Sequence, residues 1–222
     1  MKTTTFARYM IAVMALVCIA TTTQAAPYVP PSVVPGSNYH LVFISQGTRD
    51  GTSSLILDYN NFVQTEATAN PVLTGTNVGV NYRAIASTTV TDAFANVPIT
   101  APVYNFNGDL IAIDSADMWD GILANAIVYD QFAFAGFPDV WSGGDQFGAA
   151  VLGSEMGSSN PRTGLANLSD LNWINNSVTL DTTLASVYGL SEQLTAVPEP
   201  STFALAALGM LSLSRVRRKR RR

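Results

Sequence analysis

The chain has 222 residues, which is room for one ordinary domain with extensions, and its formal net charge is −4. That charge is unevenly distributed. Residues 26–198 hold three basic and 15 acidic residues, a net charge of −12, whereas seven basic residues lie between Arg215 and Arg222. An acidic surface of this kind repels nucleic acid and anionic lipid, so the composition excludes both as partners of the central region.

The first 25 residues have the layout of a secretory signal peptide. A positively charged start is followed by an apolar run over residues 10–20, and small residues at Thr23 and Ala25 predict cleavage after Ala25. The run is shorter than the ~20 apolar residues that a membrane-spanning helix needs. The only cysteine, Cys18, lies in this run, so the cleaved chain has neither disulfides nor thiolate metal ligands.

The remaining chain divides by composition into three regions. Residues 26–37 are rich in proline and predict an extended spacer, and residues 191–222 form a linker with a closing segment. Residues 38–190 hold nearly all the aromatic side chains and predict one folded domain. Its short helices and strands do not alternate regularly, which predicts an α+β fold.

The predicted elements follow one another closely along this domain. Apolar alternation and β-branched residues predict strands, 3.6-residue spacing predicts helices, and an Asn-Gly pair between apolar runs predicts a hairpin. In chain order we predict a buried strand over 39–45, a helix over 52–67 capped by Thr52 or Ser53, and a strand over 80–87. A short helix within 88–97 and a hairpin that turns at Asn107 and Gly108 are predicted next. A short helix capped by Ser115 and long loops over 136–161 complete the prediction.

Residue types that carry catalysis are scarce. His40 is the only histidine, and within a predicted strand it is more typical of a packing residue than of a catalyst. No Gly-x-Ser-x-Gly pattern surrounds any serine, so a Ser-His-Asp hydrolase is not supported. Zinc sites need several histidine or cysteine ligands, which this chain lacks.

Carboxylates are the remaining candidates for chemistry. Asp114, Asp117 and Asp120 recur every three residues, with Asp109 nearby, and could gather around calcium. The simpler interpretation is an acidic helix start that complements the helix dipole. A pair of acids could also serve glycoside hydrolysis, although 15 candidates single out no pair.

The tryptophans leave a second choice open. Trp119, Trp141 and Trp173 could stack on a sugar, but burial is the commoner fate of tryptophan in a domain of this size.

Four segments of the domain resemble the endostatin-like domains of collagens XV and XVIII and, more generally, C-type-lectin-like proteins. They are the strand with Arg83 and Ala84, the turn over 105–109, the helix with Trp119, and the stretch Val140, Trp141 and Gly143. The resemblance covers about residues 39–173 and implies a single α+β domain of the C-type-lectin type. The cysteines of that family, its zinc-binding histidines, its basic heparin-binding face and the sugar-binding triplets of C-type lectins are absent here.

The closing segment resembles a PEP-CTERM sorting signal. The triplet Pro198, Glu199 and Pro200 precedes eleven apolar residues, which span only about 16 Å as a helix against a hydrocarbon core of ~30 Å. The large apolar side chains predicted to hold the membrane are Phe203, Leu205, Leu208, Met210, Leu211 and Leu213. The predicted basic stop consists of Arg215, Arg217, Arg218, Lys219, Arg220, Arg221 and Arg222.

This resemblance implies a route of export. After passage through the Sec translocon, the C-terminal segment would hold the precursor in the inner membrane, with its basic end in the cytoplasm and its domain in the periplasm. A membrane-embedded exosortase would then cut near the Pro-Glu-Pro triplet and release the domain to the cell surface or extracellular matrix.

These observations predict a non-catalytic surface or matrix protein that binds or adheres, with exopolysaccharide or a surface protein as its partner and without nucleic acid. No cofactor is expected apart from the calcium considered above. Two alternatives remain open: an exported carbohydrate-active hydrolase that uses an Asp/Glu pair, and a structural matrix protein without a ligand.

Overall fold

The computed structural model describes residues 28–69 and 79–197. Four predictions fall outside the described residues: the signal peptide with its cleavage after Ala25, the triplet 198–200, the apolar segment 203–213 and the basic end 215–222. The structure therefore informs the central domain and its two flanks.

A mixed sheet organises the described region. Nine strands belong to it there: β1 (Asn38–Ile44), β2 (Tyr82–Ala84), β3 (Val103–Asn105), β4 (Leu110–Ala112), β5 (Asp139–Trp141), β6 (Arg162–Leu165), β7 (Ser177–Val178), β8 (Ser186–Ser191) and β9 (Leu194–Thr195). Seven of them form the order β4-β3-β1-β8-β5-β6-β7, while β2 pairs with β8 and β9 pairs with β1. The pairs β1–β3 and β5–β8 are parallel and the other strand pairs are antiparallel.

Helices are few and, with one exception, short. They are α1 (Ile56–Ala69), α2 (Ala93–Asn96) and α3 (Ser115–Met118), with a 3-10 turn over Leu171–Trp173. In α1 the buried residues Tyr59, Val63 and Ala67 follow one another at four-residue spacing, so a single stripe faces the sheet. The α+β class predicted from the sequence is confirmed.

The core occupies both faces of the sheet, and β1 shows why. Leu41 and Phe43 lie in a hydrophobic cluster on the α1 side, whereas Val42 and Ile44 lie in a second cluster on the opposite side. Because successive side chains of a strand point to opposite faces, a strand covered on both faces has an uninterrupted apolar sequence. The predicted buried strand over 39–45 is therefore confirmed.

Several predicted boundaries are wrong in detail. Helix α1 begins at Ile56, and Ser53 instead precedes it, accepting a hydrogen bond from the Leu55 N–H and donating one to Asp58. The predicted strand over 80–87 is reduced to β2, because only three of its residues pair with β8. The predicted loops over 136–161 contain β5, which is hydrogen-bonded between β6 and β8.

The cap of α3 is also one residue earlier than predicted. Asp114, not Ser115, is the N-cap, and its side chain accepts a hydrogen bond from the Asp117 N–H at 3.0 Å. Aspartate and serine are about equally good N-caps, so residue type could not separate the two neighbours.

Both flanks of the predicted domain pack on the same core. Val33 is buried in the cluster on the α1 side, and tight turns shape residues 30–37, which we predicted as an extended spacer. The Gly36 N–H donates to the Ala196 carbonyl, and the Ala196 N–H donates to the Ser37 carbonyl. The contacts of the described region thus extend beyond the predicted limits of 38 and 190 on both sides.

Candidate ligand-binding site

Strand β8 brings together residues that are far apart in the chain. Its C-terminal half pairs with β1 on one side and with β2 on the other, for example Val42 with Leu190 and Arg83 with Leu190. Where these three strands end, a cavity of about 240 Å³ opens. Its lining consists of three apolar residues, Val97, Pro98 and Leu190, which we call the apolar floor, and of seven polar or charged residues: His40, Asn81, Arg83, Thr100, Ser191, Glu192 and Gln193.

His40 lies at the base of this cavity with both ring nitrogens engaged. Nδ1 lies 2.9 Å from the Ser191 carbonyl, and the Thr100 backbone N–H donates to Nε2 at 3.2 Å. The carbonyl can only accept and the amide can only donate, so these partners assign the neutral tautomer with its proton on Nδ1. His40 is only 1% exposed. This geometry favours the packing interpretation over general acid–base catalysis.

The environment of His40 also determines how its charge behaves. Burial lowers the pKa of His40 below its ordinary value of 6.5, and hydrogen bonding to the backbone at Ser191 and Glu192 opposes this only in part. When the pKa is lower in the folded state, the unfolded chain binds the proton first as pH falls. Protonation of His40 therefore does not reduce the free energy of unfolding above pH 6.5, and it reduces it progressively as pH falls through that value.

We expect the change His40→Gln to remove this pH dependence. Between about pH 7.5 and 5.5 the parent chain should lose stability by at most about 1.4 kcal/mol per pH unit, the limit for one proton. The variant should show a flatter profile in urea unfolding, since the chain has no other histidine. Equal profiles for the parent and the variant would contradict the assignment.

Arg83 and Glu192 line the cavity but do not pair with each other. Both Glu192 carboxylate oxygens accept hydrogen bonds from Asn81, one from its backbone N–H at 3.1 Å and one from its side-chain amide at 3.0 Å. Arg83 donates from Nη1 to the Asn96 carbonyl at 3.1 Å. The carboxylate is thus satisfied within the protein, while most of the guanidinium donors are not.

The predicted calcium ligands are engaged locally. Asp114 caps α3, Asp117 accepts from the Ile113 N–H at 2.7 Å, and Asp120 accepts from the Ile122 N–H at 2.8 Å. Within 28–69 and 79–197, no group of three or more His, Cys, Asp or Glu side chains is arranged to hold a metal ion. The capping interpretation accounts for these contacts, and calcium binding stays a prediction.

All three tryptophans are buried, which confirms the interpretation we favoured from the sequence. Trp141 and Trp173 are fully buried and Trp119 is 9% exposed. The Trp173 ring packs between those of Trp119 and Tyr188, with centroids 6.1 and 5.7 Å away. The Trp141 indole N–H donates to the Arg49 carbonyl at 2.8 Å. None of the three rings presents a face for stacking on a sugar.

The residues of the cavity were not singled out as a site from the sequence. Arg83 attracted notice only as part of a fold pattern, and Thr100, Glu192 and Gln193 carried no motif. Their proximity depends on the pairing of β8 with β2, which joins positions more than 100 residues apart. The one available signal was the rarity of basic residues, because only three arginines occur between residues 26 and 198.

The geometry defines the described region as a mixed α+β domain with a cavity beside β2 and β8. Residues 196–221, which begin at the last residues of this region, match a family model described as a PEP-CTERM protein-sorting motif. The motif indicates an exported protein that is processed by an exosortase. No curated protein matches the chain. In the part of the chain that the structure describes, no helix has the length and apolarity needed to cross a membrane.

Proposed function

We propose that this protein is a non-catalytic binding module that is exported, sorted by an exosortase and delivered to the cell surface or extracellular matrix, where it associates with exopolysaccharide. The observation that carries the proposal is the sorting motif at 196–221. It begins at the last hydrogen-bonded residue of the described domain, Ala196. In this proposal the folded domain is therefore the part of the protein that the sorting segment delivers.

The route of export is the one that the terminal segments imply. The signal peptide with cleavage after Ala25 directs the chain to the Sec translocon, and the apolar segment over 203–213 holds the precursor in the inner membrane. The basic end over 215–222 favours the cytoplasmic side. The net charge of −12 over residues 26–198 favours solubility once the domain is released.

The proposal includes an endostatin-like fold of the C-type-lectin type, supported by where the similar segments lie. Arg83 and Ala84 belong to β2, Val140 and Trp141 belong to β5, and the turn over 105–109 joins β3 to β4. The first strand, β1, pairs antiparallel with β8 near the end of the domain, so the two ends of the domain lie side by side in the sheet. Fold alone assigns no ligand, and the binding role rests on the cavity.

The absence of catalysis in the proposal is supported by the chemistry of the cavity. His40 has both nitrogens occupied by backbone groups. Glu192 is the one carboxylate in its lining, and glycoside hydrolysis needs two flanking the scissile bond. The cavity combines an apolar floor with convergent polar groups, the usual composition of a small-molecule binding site.

The test is to incubate the purified protein with polysaccharide extracted from the producing cells. We expect saturable retention of the protein on the immobilised polysaccharide and no increase in reducing ends, and an unrelated neutral polysaccharide serves as the control. Release of sugar that depends on the protein would favour the hydrolase instead. A lack of saturable retention would favour a structural matrix protein without a ligand.

A further inference from the structure

Arg83 is the cation that the fold leaves available for a ligand. Residues 26–198 contain only three arginines and no lysine. The Arg49 guanidinium lies over the Tyr59 ring, 4.0 Å from its centroid, and Arg162 donates to Asn175. Arg83, by contrast, is exposed, and among the described residues its only hydrogen bond is the one from Nη1 to the Asn96 carbonyl.

Gln193 adds a second free donor to the cavity. The Thr100 hydroxyl donates to Gln193 Oε1 at 2.6 Å, which leaves the side-chain N–H₂ of Gln193 without a described acceptor. Each Glu192 oxygen accepts a hydrogen bond from Asn81, and the His40 nitrogens are bonded to the backbone. The guanidinium of Arg83 and the amide N–H₂ of Gln193 are therefore the free donors that the cavity offers to an incoming acceptor.

The shape of the cavity limits the size of that group. Its volume of about 240 Å³ is below the range of ~300–1,000 Å³ that is usual for drug-sized ligands, so it suits one sugar-sized unit. Val97, Pro98 and Leu190 form an apolar floor against which the C–H face of a sugar ring can pack. Arginine matches a planar carboxylate through two parallel N–H···O bonds, a geometry that lysine cannot provide.

We propose that the cavity between β2 and β8 binds a single uronic acid unit, with its carboxylate on the Arg83 guanidinium and its ring on the floor of Val97, Pro98 and Leu190. The inference rests on the proposed function and names the ligand class of its site. The natural ligand in this inference is a uronic acid unit of the exopolysaccharide. A free uronate presents the same carboxylate and the same sugar ring.

The charge of the domain shapes how this binding should behave. Its net charge of −12 repels an acidic polymer at long range, whereas the Arg83 contact acts at hydrogen-bond distance. At physiological ionic strength the Debye length is ~8 Å, so the long-range repulsion is largely screened and the direct contact dominates. Very low salt should therefore weaken binding to an acidic polymer, which is the reverse of the trend for an ordinary ion pair.

The experiment measures binding of galacturonate and glucuronate to the full chain by calorimetry and by the NMR signal of the Arg83 Nε–H group. Galactose and glucose, which lack the carboxylate, are the ligand controls. We expect saturable binding of a uronate with a shift of the Arg83 signal, and at least about tenfold weaker binding of the neutral sugars. Saturation by a uronate without movement of the Arg83 signal would overturn the proposal.

Variants at Arg83 separate the planar hydrogen-bonding geometry of the guanidinium from its positive charge. Arg83→Gln should weaken uronate binding at least about tenfold, and Arg83→Lys should restore only part of it, because it returns the charge without the planar fork. Asn61→Asp, on the exposed side of α1, changes the net charge as much as Arg83→Gln does and should leave uronate binding unchanged. Unchanged melting temperatures show that the variants fold.

The outcomes distinguish this inference from the proposed function. If the protein is retained on the polysaccharide but neither uronate binds, the uronate site is wrong and the binding role stands. If a uronate binds through Arg83 but the polysaccharide does not retain the protein, the site stands and the proposed partner is wrong. If Arg83→Gln binds uronate as tightly as the parent chain, the inference is overturned.

Discussion

Cells that produce a variant with alanine at Pro198, Glu199 and Pro200 are expected to accumulate, in the membrane fraction, a precursor that keeps the C-terminal segment. The reason is that the family match at 196–221 includes this triplet, and in the proposed route of export the exosortase recognises it. The loss of the mature species should be nearly complete, which makes this the largest functional effect we expect. Fractionation followed by mass measurement of the protein gives the answer.

A matched variant controls for the loss of proline. Pro35 is exposed in the turns that precede β1, so Pro35→Ala removes a proline outside the sorting segment and should be processed normally. If the triple variant reaches the medium or cell surface at the normal mature size, the sorting role of the triplet is wrong. If Pro35→Ala also accumulates, the defect lies in folding or export in general.

Replacement of Gly164 by alanine is expected to produce the largest loss of stability for a single methyl group. A Cβ at this position of β6 would overlap the Trp173 carbonyl group and lie 2.7 Å from the Ile174 Cα. These neighbours are backbone atoms, so no side chain can rotate away, and the loss should reach the upper end of the range for overpacking, about 3 kcal/mol. In a chain of this size that corresponds to a melting temperature lower by about 6–12 °C.

Gly136→Ala is the matched control for this prediction. Neither glycine has a positive φ, and the nearest atom to a Cβ at Gly136 is the Pro138 Cδ at 3.6 Å, an ordinary contact. This variant should remain within ~0.5 kcal/mol of the parent chain. If both variants melt at the same temperature, the close approach of β6 to the 3-10 turn is wrong.

The expected size of the Gly164 effect follows from what that contact supports. The 3-10 turn over Leu171–Trp173 lies directly on β6 and places the Trp173 ring between Trp119 and Tyr188. The Tyr188 hydroxyl donates to the Trp173 carbonyl at 3.0 Å, within the buried core. A backbone shift at Gly164 would therefore disturb a strand, a turn and the packing of three aromatic rings together.

The local elements were predictable where a few adjacent residues determine them. The apolar run of β1, the four-residue stripe of α1 and the Asn-Gly turn between β3 and β4 need no distant partner to be recognised. Predictions failed where two local solutions are nearly equal, as with Asp114 and Ser115 at the start of α3. They also failed at β5, whose three residues become a strand only because β6 and β8 flank them.

By itself, the sequence determined the α+β class and the sorting motif at 196–221, since each depends on composition or on a contiguous pattern. It favoured burial of the tryptophans, which the tertiary structure confirms. Only the tertiary structure decided the cavity. Its polar residues come from β1, β2, the segment that follows α2 and the end of β8, and no spacing along the chain relates them. The availability of Arg83 is likewise a tertiary property, because Glu192 bonds to Asn81 and the Asn96 carbonyl accepts from only one nitrogen of the guanidinium.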